Sequence, residues 1–168
     1  MSQVETMTER IVELRKEKRF DEAEHLVRLA ISENDDAWQL WDQLGHVLVA
    51  NQNFSEAASA FQTAAKLNPN EFWLWLSLGY ANKELNQVDD AIQVTLKATR
   101  LATKPNELGS ALYNLGCYNC VAGRHDDAIQ YLDRAFQEDE SIRDWARDDA
   151  DLDALRNNKM FLSLLRGK

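Results

Sequence analysis

The chain has 168 residues, 45% hydrophobic and 28% charged, a globular composition of one-domain size with enough apolar side chains for its own core. Nineteen basic against 28 acidic residues give a formal charge of −9, so the surface offers a phosphate backbone no attraction and nucleic acid is not the expected partner. No apolar run is long enough to span a bilayer, and two cysteines, Cys117 and Cys120, are too few for a disulfide scaffold.

The first nineteen residues are polar and charged, without the apolar core of a signal peptide, which gives a cytoplasmic expectation. From there on, apolar residues recur at helical spacing and no alternating β-branched run occurs, so the chain reads as all-α. It also aligns on itself in four rows of about 34 residues. The first, 4–37, places Met7, Ile11, Phe20, Ala23, Val27 and Ala30. In the second, 38–71, the same columns hold Trp41, Gly45, Phe54, Ala57, Phe61 and Ala64. The third, 72–107, has Trp75, Gly79, Val88, Ala91, Thr95 and Ala98, and the fourth, 109–142, has Leu112, Gly116, Ala128, Leu132 and Ala135. Each row reads as a helical hairpin: the glycine and alanines let two helices approach, and Trp, Leu and Phe fill the gaps between them. Asn86 and Gly123 suit the left-handed conformation that ends a helix, and Asn68-Pro69 and Lys104-Pro105 punctuate the ends of the second helices.

The segment 143–166 differs. It reads as one or two short capping helices over the fourth row, which completes a single domain over 1–168. Its carboxylates Asp148, Asp149, Asp151 and Asp153 lack the glycine and terminal glutamate of a calcium loop and read as solvated helix-start residues.

No catalytic constellation is visible. His25, His46 and His125 fall in different rows and columns, and no glycine-rich phosphate loop is present. Cys117-x2-Cys120 lies inside a helix rather than at its start, with no second pair for a zinc site. No catalytic residue, metal or cofactor is therefore expected, and the chain reads as a non-enzyme.

Trp41-x2-Leu44-Gly45, then Ala57-x3-Phe61-x2-Ala64, then Pro69, resembles the tetratricopeptide repeat signature, and the third and fourth rows follow it with Thr95 and Leu132 in the aromatic column. The resemblance implies a right-handed superhelical α-solenoid whose first helices line a concave peptide-binding groove. It assigns to that groove Gln39, Asp42, His46 and Val49 in the second repeat, and Trp73, Leu76, Tyr80 and Lys83 in the third. Tyr113 and Cys117 follow in the fourth. The carboxylate clamp of chaperone-tail binders needs cations where this chain has Thr8, Val12 and Asp42, so no such clamp is expected. Trp73, Leu76 and Tyr80 share one helical face, while Trp75 points about 200° away from Trp73 and belongs to the core. The expected partner is a protein segment or helix with apolar anchors, basic rather than acidic given Asp42, Glu84 and the net charge. A scaffold role through the convex or terminal surface, or homo-oligomerisation through exposed tryptophans, stands as the alternative.

Overall fold

The structure is a computed structural model and describes residues 3–167. Among these residues the regular elements are all helical. The chain divides between Leu85 and Asn86 into two compact units.

The first unit holds α1 (Gln3–Lys16), α2 (Phe20–Glu33), α3 (Trp38–Ala50), α4 (Phe54–Leu67) and α5 (Phe72–Glu84). Each helix packs on the next, and α1 also lies beside α3, which is the arrangement of stacked antiparallel pairs. The small column works as the sequence predicts. A Cβ on Gly45 would stand 2.5 Å from the Phe61 ring, so α3 and α4 approach to a distance that only glycine permits. A second device recurs 34 residues apart. The Trp41 and Trp75 indole N–H groups donate to the Asp35 and Pro69 carbonyls, 2.8 Å in each case, tying each hairpin to the turn before it. Trp75 packs with Trp38 and Trp41 against Ala64, Ala65 and Leu74, which satisfies its polar edge while its apolar body is covered.

The second unit holds α6 (Val88–Leu101), α7 (Pro105–Val121) and α8 (His125–Glu138), followed by three short elements: α9 (Ile142–Trp145), the 3-10 helix η1 (Ala150–Leu155) and α10 (Lys159–Arg166). Helix α7 packs on both α6 and α8, and η1 lies on α7 while α10 lies on α8. Pro105 occupies the first turn of α7, where its missing N–H is not required, and Glu107 accepts the Thr103 backbone N–H at 2.9 Å. That bond holds the Glu107 carboxyl below the usual carboxylate range, against a smaller opposing effect of desolvation. Leu132 of α8 fills the notch at Gly116, 2.7 Å from where a Cβ would stand.

Four helices end in the same backbone device, a residue in the left-handed region: Lys18, Gln52, Asn86 and Gly123, with φ between 59° and 74°. The residue that follows returns a bond to the helix, as in Asn53 N–H to Leu48 O at 2.8 Å and Arg124 N–H to Asn119 O at 2.8 Å. Asn86 and Gly123 announce this conformation in the sequence. Lys18 and Gln52 do not, because long unbranched side chains carry no preference for it and are held there by the hairpin around them.

Candidate binding faces

On the first unit, the columns of α1 and α3 that the sequence assigns to a groove carry a polar chain. The Arg15 guanidinium donates to Gln43 Oε1 at 2.8 Å, and Gln43 Nε2 donates to Asp42 Oδ2 at 3.1 Å. His46 Nε2 lies 3.4 Å from Asp42 Oδ1, one helical turn away, and its ring meets Phe61 edge-on at 5.1 Å. Burial pushes the Arg15 guanidinium below its ordinary value, and the Asp42 charge works against that shift. Arg15 is thus a structural cation whose charge Asp42 partly answers. Gln39 and Val49 are half-buried beside this chain.

Helix α5 presents a different surface. Its Phe72, Leu74 and Leu78 are buried, yet Trp73 is 48% and Tyr80 40% exposed, with Leu76 half-buried between them. Residues three, four and seven apart lie on one side of a helix, so the three form an apolar stripe. Both ends of the stripe are braced. The Trp73 ring packs edge-on against Phe72 at 4.8 Å, and the Tyr80 ring against Phe54 of α4 at 6.4 Å. The Lys83 ammonium stands 5.4 Å from the Tyr80 ring centroid and 2.6 Å from a Glu84 carboxylate oxygen, so its charge is already paired at the edge of the stripe.

The second unit treats the corresponding column of α7 differently, and this corrects the expectation that Tyr113 and Cys117 are open to a ligand. Both are buried, as is Cys120. The chain itself covers them: η1 lies across α7, and Asp149 at its start accepts a 2.6 Å hydrogen bond from the Tyr113 hydroxyl and a 3.6 Å contact from the Cys117 thiol. Leu152 and Leu155 of η1 are fully buried, and Trp145 packs edge-on against Tyr113 at 6.2 Å. Burial raises the Tyr113 hydroxyl, and the neighbouring Cys117 and Asp149 raise it further. Burial, with Asp149 and Asp151 adding to it, pushes the Cys117 thiol well up, and burial with Asp151 raises Cys120. Both cysteines are free, and the upward shift sets them apart from the low-pKa thiol of a redox dithiol.

Four residues owe their part here to contacts that the sequence does not announce. Asp149 sits among solvated aspartates and only its neighbours in space set it apart. Phe54 reads as a packing residue, and Arg15 and Gln43 meet only because α1 lies beside α3. Among the described residues, no group of three or more His, Cys, Asp and Glu side chains is placed to hold a metal ion. No helix among them is long and apolar enough to cross a membrane.

Comparison with known proteins adds the following. A sequence model of the tetratricopeptide repeat matches residues 43–105. The peroxisomal targeting signal receptor of Kluyveromyces lactis is 36% identical over 85 residues, which are 47% of this chain and 15% of that one. The receptor of the same name from Candida glabrata is 34% identical over 89 residues, 53% of this chain and 15% of the other. The matched region is thus a small part of these curated relatives. Among solved structures, MamA superposes with a TM-score of 0.76 at 18% identity, covering 92% of this chain and 87% of its own. Pseudomonas aeruginosa pilF gives 0.78 at 14% identity over 96% and 67%. YrrB, described as a TPR protein with an unusual peptide-binding site, gives 0.72 at 18% over 95% and 81%. At these identities the structural likeness speaks for the fold, an α-solenoid of stacked helix pairs.

Proposed function

We propose that this chain, a tetratricopeptide-repeat protein, is a non-enzymatic cytoplasmic module that binds a segment of a partner protein along the ligand-facing side of α3 and α5. The observation that carries this reading is the half-exposed pair Trp73 and Tyr80, held by Phe72 and Phe54 on the open side of α5. Braced aromatic rings lose little freedom on binding and are frequent energetic anchors of interfaces. The ligand is an extended or helical segment with apolar anchors. It is basic in character, because the chain carries a net charge of −9 and Asp42 lies on the side of α3 that the segment would follow. The curated relatives are named as receptors for a targeting signal, and YrrB is titled for its peptide-binding site, which agrees with a peptide as the ligand.

Selection from a displayed peptide library against the wild type, counter-selected on Trp73→Ala/Tyr80→Ala, tests this. Enriched peptides should pair two apolar residues with Lys or Arg and lose binding to the variant. Enrichment of acidic peptides refutes the charge assignment, and equal binding by both proteins refutes the site. The exposure of Trp145 and Met160 on the C-terminal elements favours one second reading, a scaffold or self-associating protein using that surface. A concentration-independent monomer in light scattering removes the self-associating form.

A further inference from the structure

The columns of α3, α5 and α7 are not alike: that of α3 is half-buried, that of α5 presents the exposed Trp73 and Tyr80, and that of α7 is filled by the chain's own residues. The filling segment is tied to the residues that flank it. Arg156 donates to the carbonyls of Ala146, Arg147 and Asp149, and Asp149 Oδ1 accepts the Asp151 N–H at 2.9 Å. Asp149 takes the Tyr113 and Cys117 donors, Leu152 and Leu155 are the buried apolar residues, and the Ala154 backbone amide approaches the Cys120 sulfur. Asp153 and Ala154 face outward. The element is a six-residue 3-10 helix, whose hydrogen-bond geometry is poorer than that of an α-helix. Asp149 itself is only half-buried, so water can replace its partners when the contact opens.

We propose that residues 149–155 are a strap that occupies the ligand-facing side of α7 in cis and lifts as a unit, uncovering Tyr113, Cys117 and Cys120. With the strap down, an external ligand has only the first unit to bind. With the strap up, the fourth repeat offers a tyrosine and two thiols in the columns that carry Leu76, Tyr80 and Lys83 on α5. The assignment of that side of α7 as ligand-facing rests on the proposed function, but the lifting does not require a partner to be detected.

The test is native-state alkylation of Cys117 and Cys120 by iodoacetamide in the full chain, followed by mass spectrometry at guanidinium concentrations below the unfolding transition. A lifting strap exposes Leu152, Leu155, Tyr113 and the two thiols, far less surface than global unfolding, so labelling should depend on denaturant much more weakly than the helical signal does, and the rate should rise about tenfold in Asp149→Ala, which removes both bonds to α7. Leu152→Ala should accelerate labelling without altering the charge. Labelling of the wild type that climbs with the same denaturant slope as loss of the helical signal overturns the proposal, because the thiols then open only with the whole unit. Unchanged labelling in a folded Asp149→Ala overturns it as well. Should both variants fail to fold, the denaturant slope of the wild type decides alone. None of these failures touches the α5 site, which the peptide selection tests separately.

Discussion

Gly45→Ala puts the packing argument at its most exposed point. The added Cβ would fall 2.5 to 2.7 Å from three carbons of the Phe61 ring, inside any tolerable contact, and Phe61 is 1% exposed with nowhere to retreat. Alanine in a helix interior gains about 1 kcal/mol over glycine, so propensity alone predicts a more stable protein. Overpacking a filled core costs about 1–3 kcal/mol, and here the obstacle is a rigid ring rather than the end of a flexible chain. The clash wins, and the variant should lose about 1–2 kcal/mol, which lowers the thermal midpoint by roughly 2–8 °C for a chain of this length. The Phe61 ring also supports His46 edge-on, so the displacement reaches the side of α3 that carries Asp42 and His46. Urea unfolding followed by circular dichroism measures the loss. A second arm separates clash from any other effect: in a Phe61→Leu background, Gly45→Ala should be less harmful by at least about 1 kcal/mol, since the ring that it strikes is gone. A Gly45→Ala protein as stable as the wild type, or an identical penalty in both backgrounds, would refute the assignment of the small column to helix approach.

Other consequences can be checked with the same unfolding assay. Trp75→Phe keeps most of the apolar body but loses the donation to the Pro69 carbonyl, and Trp41→Phe loses its counterpart at Asp35; each should cost about 1 kcal/mol, and no loss in either would show that the indole bonds are incidental. Gln52→Gly relieves a non-glycine residue at φ 59° and should stabilise by up to about 1 kcal/mol, whereas a destabilised variant would mean that the side chain contributes more than the backbone strain removes. The Glu107 carboxyl is held below its ordinary range chiefly by the Thr103 N–H, so its contribution is full above the ordinary range and is lost as the pH falls from there through the lowered folded-state value. The stability difference between wild type and Glu107→Gln should therefore shrink as the pH falls below the ordinary carboxylate range, and a difference that does not change with pH would rule out the carboxylate as its source.

The repeat was legible in the sequence because its columns are set by local and near-neighbour geometry. Glycine at 45 and 116, alanine at 57, 64, 128 and 135, and the aromatic and leucine residues between them each answer a distance that any two packed helices impose. Periodicity likewise separated Trp73 from Trp75, since one rotation of the helix decides which indole reaches the Pro69 carbonyl and which is left exposed. Two features were decided elsewhere. The left-handed turns at Lys18 and Gln52 follow from hairpin closure and not from the residues themselves. The fate of Tyr113 and Cys117 depended on where the chain went more than thirty residues later: the aspartates 148, 149, 151 and 153 look equivalent in sequence, and only the path of η1 across α7 sets Asp149 between a hydroxyl and a thiol. Helical spacing fixes which side of α7 a residue occupies. Whether that side meets solvent or the chain's own tail is a long-range choice, set by the burial of Leu152 and Leu155, and no local pattern encodes it.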